Sequence, residues 1–216
     1  MKCAEDILLF RSNVICTTLN SCVSSRIMDP IRKDQLKFSC CIIDEATQCC
    51  EAESLLPIQL GIDKFILVGD PQQLPAVVCN KDAQKLGYGK SLFARIDDNF
   101  KEHVDNPIKM LYEQYRMKPE ICEYPNKTFY DGKLKSFPIH INKIIPELKP
   151  YLLFNLMNAG NEDNSAYKNS EEVQLIYNLL DTLKKYIQSK CNYTIGIITP
   201  YRAQKELLIR HISDIR

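Results

Sequence analysis

With 216 residues, a formal net charge of +1, 45% hydrophobic and 25% charged residues, the chain has the composition of an ordinary globular protein with room for one or two domains. The near-zero charge argues against a basic tail, so any contact with a polyanion is expected to come from a local surface. No apolar run has the length of a membrane span and the first residues lack a signal-peptide pattern, which makes an intracellular protein, nuclear or cytoplasmic, the expectation.

In chain order, residues 1–11 close a short helix with Ile7, Leu8 and Phe10 apolar. Residues 13–19 (NVICTTL) are a predicted strand ending in Thr17 and Thr18. Those hydroxyls either touch a phosphate backbone beside the sheet edge or merely terminate the strand. Residues 21–37 are polar, interrupted by Pro30, and read as loop plus short helix. Residues 38–43 and 65–68 are unalternating runs rich in Ile, Val and Phe, expected of strands covered on both faces of a parallel sheet. Residues 52–60 between them are a predicted crossover helix, giving a right-handed strand–helix–strand unit. The first strand ends in Asp44 and Glu45, the second in Gly69 and Asp70. Parallel strands bring their C-terminal ends to one edge, where open α/β sheets take ligands. Asp44, Glu45 and Asp70 are therefore expected at one crevice suited to a divalent cation and a phosphate. The alternative for Asp70 is a cap on the following turn.

Gly89-Lys90-Ser91 imitates the end of a phosphate-binding loop, but Gln84 stands where G-x-x-x-x-G-K-[ST] needs its first glycine. The segment is instead a turn into a helix over 91–96, with Ser91 at its N-cap. No other stretch fits that pattern. Residues 97–107 are polar and charged, a candidate boundary between domains. A short strand is predicted over 108–112, then Gln114 to Met117, then a helix with Pro119 at its first position and Glu120 beside it. Pro125 is expected to interrupt that helix. Residues 151–156 (YLLFNL) are another predicted strand and 158–169 an exposed Asn-rich loop. Asn169 followed by Glu172 signals an N-cap. Val173, Ile176, Tyr177, Leu180 and Leu183 then mark one helix face, expected against a sheet. Residues 194–199 (TIGIIT) are a predicted buried strand, followed by a helix over 202–212 with Leu207, Leu208 and Ile212 inward. The ten cysteines show no C-x-x-C spacing and are read as free thiols.

Hydrolysis of a nucleoside triphosphate needs a metal for the phosphates, a group that orients water, and cations for the transition state. An Asp-Glu pair ending a buried strand divides the first two tasks, Asp44 for Mg²⁺ and Glu45 for the attacking water. CIIDEATQ, ILVGDPQQLPAVV, QYRMKPEI and IGIITPYRAQ, in this order, resemble successive motifs of superfamily 1 helicases, in the 5′-to-3′ branch that contains senataxin and the nonsense-mediated-decay helicase. The resemblance spans nearly the whole chain. It implies an α/β P-loop NTPase fold, parallel sheets with flanking helices in two partial RecA-like domains, 1–104 and 105–216. It also implies ATP and Mg²⁺ between those domains and a single strand of RNA or DNA across them.

By this resemblance Asp44 holds the metal, Glu45 is the catalytic base and Gln48 belongs to the nucleotide-binding set. Gly69, Asp70 and Gln73 are similar to the motif that senses the γ-phosphate. Tyr115 resembles the residue that stacks on adenine, with core packing as its alternative. Arg116 resembles the arginine finger, the alternative being a structural ion pair. Thr17, Thr18, Thr199, Pro200, Tyr201 and Arg202 fall where the family touches the nucleic-acid backbone, although 199–202 is also a plain helix start. The resemblance leans toward RNA or RNA–DNA hybrids. Lys118 replaces the usual histidine and Ala76 a common second proline. The phosphate-binding loop and the later glutamine-glycine and second-arginine motifs are not among these residues, so the 216 residues alone are expected to be a poor ATPase. The rival expectation is a non-catalytic relic that binds nucleic acid or protein.

Overall fold

The computed structural model describes residues 4–137, 149–157, 167–187 and 194–212. The chain divides into two compact units, Met1–Met110 and Leu111–Arg216.

The first unit runs α1 (Ala4–Arg11), α2 (Leu19–Cys22), α3 (Ser25–Arg32), β1 (Cys40–Ile43), a 3₁₀ turn (Ala46–Gln48), α4 (Glu51–Ser54), a second 3₁₀ turn (Leu56–Leu60), β2 (Lys64–Leu67), α5 (Lys81–Lys85) and α6 (Leu92–Phe100). β1 and β2 pair in parallel, Cys40 opposite Lys64 and Ile43 opposite Leu67, as the two apolar runs predict. The crossover is not one helix over 52–60. Pro57 has no amide to donate and its ring disfavours helix at Leu56, so α4 stops and a 3₁₀ turn carries the chain to Gly61 at φ 66°. That turn buries Pro57 and Leu60, and Leu60 packs with Cys22, Ile27 and Met28 as the unit's core.

Three further expectations are corrected here. The strands are not covered on both faces. Ile42 and Ile66 are register partners on one side of the ladder and remain 64% and 46% exposed, whereas Ile43 is 6% exposed. Residues 13–18 form no strand among those described. Thr18 instead stands at the N-cap of α2, its carbonyl accepting the amides of Ser21 and Cys22 at 3.1 Å. Pro30 lies inside α3 rather than breaking it, because a single missing amide costs the helix one bond while Ile27 and Met28 are buried. Ser91 caps α6 as expected, accepting from the Ala94 amide at 3.1 Å, and the helix runs on to Phe100. Arg95 ties it to α4 through two bonds to Glu51 of 2.7 and 2.6 Å.

The second unit holds β3 (Glu113–Gln114), α7 (Pro119–Phe129), β4 (Lys135–Ser136), α8 (Ser170–Ile187) and α9 (Arg202–Ile212). β3 and β4 are a short parallel pair. The strands predicted over 108–112, 151–156 and 194–199 are not strands among the described residues. Apolar β-branched runs mark segments that suit a sheet, but a ladder needs a neighbour, and Leu153 and Ile198 stay 85% and 96% exposed. Pro119 opens α7 as predicted, and Pro125 sits within it without interrupting it. Asn169 caps α8, accepting the Glu172 amide at 3.0 Å. Val173 is 1% exposed, and among the described residues α8 packs chiefly on α9, whose Leu208 is buried. Residues 158–166 of the expected loop lie outside the described residues.

The described cysteines are free thiols, with Cys22, Cys50 and Cys122 buried. Desolvation pushes the thiols of Cys22, Cys41 and Cys50 up. Among the described residues no helix is long and apolar enough to cross a membrane.

Candidate functional site

The parallel pairing continues beyond the strands themselves. The Val68 amide donates to the Ile43 carbonyl at 2.8 Å and the Ala46 amide to the Val68 carbonyl at 2.8 Å. These bonds tie together the two turns that carry the acids. Between them the chain must reverse, and it does so at Glu45, with φ 53° and ψ 39°. An L-residue in this left-handed region is disfavoured by roughly 1–2 kcal/mol, and glycine would take it freely. A glutamate held there points to a role for its carboxylate. Asp44 Oδ1 accepts the Glu45 amide at 3.0 Å, and Gln48 Nε2 donates to Glu45 Oε2 at 3.2 Å. Both acids are exposed.

Gly69 shows how tightly the two turns fit. A Cβ there would lie 3.1 Å from the Thr47 amide nitrogen and 3.2 Å from that of Ala46. Backbone fixed by the extended ladder yields poorly, so Gly69→Ala is expected to destabilise the first unit by about 1–3 kcal/mol, read as a fall in the denaturation midpoint. A midpoint equal to that of the unsubstituted protein would show that the turns separate easily.

Asp70 caps its own turn. Its Oδ1 accepts the Gln72 amide at 3.0 Å and its Oδ2 accepts Gln73 Nε2 at 2.8 Å. The cap alternative is thus realised, and the same carboxylate orients Gln73. A cleft of about 860 Å³ is lined by Thr17, Thr18, Asp44, Glu45 and Gln48. Gly69, Asp70 and Gln73 do not line it; they occupy the neighbouring turn joined by the Val68 bonds.

In the second unit, the turn after β3 presents Tyr115 and Arg116. Gln114, which the residue pattern did not single out, holds it. Gln114 Oε1 accepts the amides of Arg116 and Met117 at 3.0 and 2.8 Å, while its Nε2 donates to the Met117 carbonyl and Ser136 Oγ, both at 2.7 Å. One side-chain amide therefore satisfies both edges of the turn and anchors it to β4. The available signal was chemical: an amide side chain carries an acceptor oxygen and two N–H donors on one planar group. Tyr115 is 51% exposed, so it is not core; one face stacks on Phe137 at 5.8 Å and its hydroxyl donates to Glu113 at 2.8 Å, which raises the phenol's pKa. Arg116 is exposed and has no ion-pair partner among the described residues.

Farther along, the Tyr201 amide donates to Thr199 Oγ1 at 3.4 Å, and Pro200 lies between them. Arg202 opens α9 and reaches Glu206 at 3.1 Å, its side chain 92% exposed. Gln204, also unflagged by the pattern, is buried and clamps Asn169: its Oε1 accepts the Asn169 amide at 2.9 Å and its Nε2 donates to the Asn169 carbonyl at 3.1 Å.

Two different family models, each described as an AAA domain, match the chain, one over residues 2–81 and the other over residues 88–215. "Helicase sen1" of Schizosaccharomyces pombe is 38% identical over 97% of this chain, which spans 12% of that protein. "Probable helicase senataxin" of Homo sapiens is 35% identical over 97% of the chain and 8% of its own length. "ATP-dependent helicase upf1" of Schizosaccharomyces pombe is 32% identical over 98% of the chain and 22% of its own length. The chain belongs to the AAA domain family, with the P-loop NTPase fold, in the superfamily 1 branch of senataxin and the regulators of nonsense transcripts. It spans less than a quarter of the length of these relatives.

This family uses a nucleotide and a divalent metal. The donor set fits such an ion: Asp44 is an exposed carboxylate, a hard oxygen donor with one oxygen engaged by the Glu45 amide. Mg²⁺ is commonly held by one or two carboxylates completed by water and phosphate oxygens.

Proposed function

We propose that this chain is part of an ATP-dependent helicase or translocase core acting on single-stranded RNA or DNA, with residues 1–104 and 105–216 as two partial RecA-like domains. The observation that carries the reading is Glu45: an exposed carboxylate kept in a left-handed turn, at the C-terminal edge of a parallel pair, beside Asp44. Asp44 would hold Mg²⁺, which when bound neutralises phosphate charge. Glu45 accepts the proton of the attacking water, with Gln48 fixing its carboxylate. Gln73, steered by Asp70, reports the γ-phosphate from the adjoining turn. Tyr115 offers a free face to a base, and Arg116 supplies the cation for charge that develops on the transferring phosphoryl group. Thr17, Thr18 and residues 199–202 meet the strand.

The relic reading has less support, since Asp44, Glu45, Gln73, Tyr115 and Arg116 stand together in the chain and the matching relatives bear helicase names. A nuclear or cytoplasmic place suits the proposal. The test is ATP hydrolysis, with and without single-stranded RNA, by a polypeptide in which these residues are accompanied by a phosphate-binding loop. Stimulation by the strand is the expected result; binding without turnover would favour the relic.

Gln114→Ala tests the turn that carries the arginine. Leaving its amide partners unmatched costs about 1–3 kcal/mol locally. The expected result is a fall in kcat, with the double variant Gln114→Ala/Arg116→Ala no slower than Arg116→Ala alone. Additive losses would show that Gln114 acts elsewhere.

A further inference from the structure

The second unit carries an aromatic pair that the hydrolytic chemistry does not use. Tyr167 and Tyr201 lie face to face, ring centroids 4.7 Å apart and planes within 6°. Near-parallel planes at this centroid distance are an offset stack, an arrangement that aromatic rings favour, and the backbone holds both rings in place for it. It does so from both sides. Tyr167 is held at φ 48°, a left-handed conformation that a bulky side chain resists. Two residues on, the buried Gln204 of α9 grips Asn169 through two hydrogen bonds and fixes this segment beside the helix that begins just after Tyr201. The Thr199 hydroxyl accepting the Tyr201 amide fixes the second ring's segment in turn.

A built stack of this kind would be expected to be buried if its role were packing. Instead Tyr167 is 65% exposed and Tyr201 47% exposed. Exposed Lys168 follows Tyr167 in the chain, and exposed Arg202, paired with Glu206 at 3.1 Å, and Lys205 follow Tyr201 on the first turn of α9. Planar π-faces flanked by cations are the chemistry that receives an unpaired base with its phosphates, without reading its identity.

We propose that Tyr167 and Tyr201 form a two-ring platform on which one unpaired base of a single strand stacks, so that this unit grips a base as well as the backbone. This rests on the nucleic-acid reading above, and it gives Tyr201 a base contact in place of a backbone contact and adds Tyr167. The platform tolerates any base, since each has a π-face.

The test uses the full polypeptide and two oligonucleotides of equal length, poly(U) and the same strand carrying a run of abasic sites. Tyr167→Gly suits φ 48° and so keeps the fold while removing the ring. It is expected to weaken poly(U) binding about tenfold, within the range found for losing one stacked base. Binding of the abasic strand should be unchanged, and Tyr167→Phe should bind both strands as the unsubstituted protein does. Equal losses on both strands, or no loss on poly(U), would overturn the platform while leaving the helicase reading intact. Failure of the unsubstituted protein to bind either strand would overturn both.

Discussion

Glu45→Gln in the full polypeptide is expected to reduce strand-stimulated ATP hydrolysis by about 10²–10⁴-fold, the usual contribution of a general base, while ATP binding changes little. The substitution is nearly isosteric, so the left-handed turn, the Ala46 and Val68 ladder bonds and the Asp44 contact to the backbone amide all survive it. What disappears is the capacity to accept a proton from water. Gln48 now bonds Glu45 Oε2, and it can bond the new amide oxygen equally, which keeps the geometry comparable. The measurement is kcat beside a direct titration of a fluorescent ATP analogue. Turnover at the unsubstituted rate would remove Glu45 from the chemistry and with it the main support for the proposal. A Glu45→Gly variant makes a useful contrast: it relieves the backbone strain at φ 53°, so it should be at least as stable and equally inactive.

The second large effect belongs to Arg116. Arg116→Ala is expected to lower kcat by about a thousandfold or more, as loss of an arginine finger does, with little change in affinity for the single strand. The guanidinium is exposed and lacks an ion-pair partner among the described residues, so truncation leaves no carboxylate stranded and folding should be unaffected. Arg116→Lys should restore only a small part, because an ammonium cannot offer the two parallel donors that a phosphoryl group receives from arginine. A selective loss of strand binding with normal hydrolysis would move Arg116 to the backbone-contact set.

Much of the candidate site is legible as residue order. Asp44, Glu45, Gln73, Tyr115 and Arg116 stand in short motifs whose chemistry is carried by side-chain type, and the paired apolar runs announce β1 and β2 by local composition. Helix starts were legible for the same reason: Ser91 and Asn169 cap their own neighbours within three residues. The misjudged segments depend on distant partners. Residues 13–18, 151–156 and 194–199 suit a strand by composition, yet among the described residues none has a ladder. Pro30 and Pro125 look like breaks, yet each costs one backbone bond that the surrounding helix tolerates.

The sequence by itself determined which functional groups are present and in what order, because carboxylate, amide, guanidinium and phenol chemistry travels with residue identity. Only the tertiary structure decided how they are held. The left-handed turn at Glu45, the close backbone approach at Gly69, the Gln114 brace under Arg116 and the Tyr167–Tyr201 stack each join segments through contacts that no local pattern encodes. The physical reason is range. Propensity and capping act over a few residues, whereas Gln114 with Ser136 and Asn169 with Gln204 meet across 22 and 35 positions of chain, where only packing fixes who faces whom.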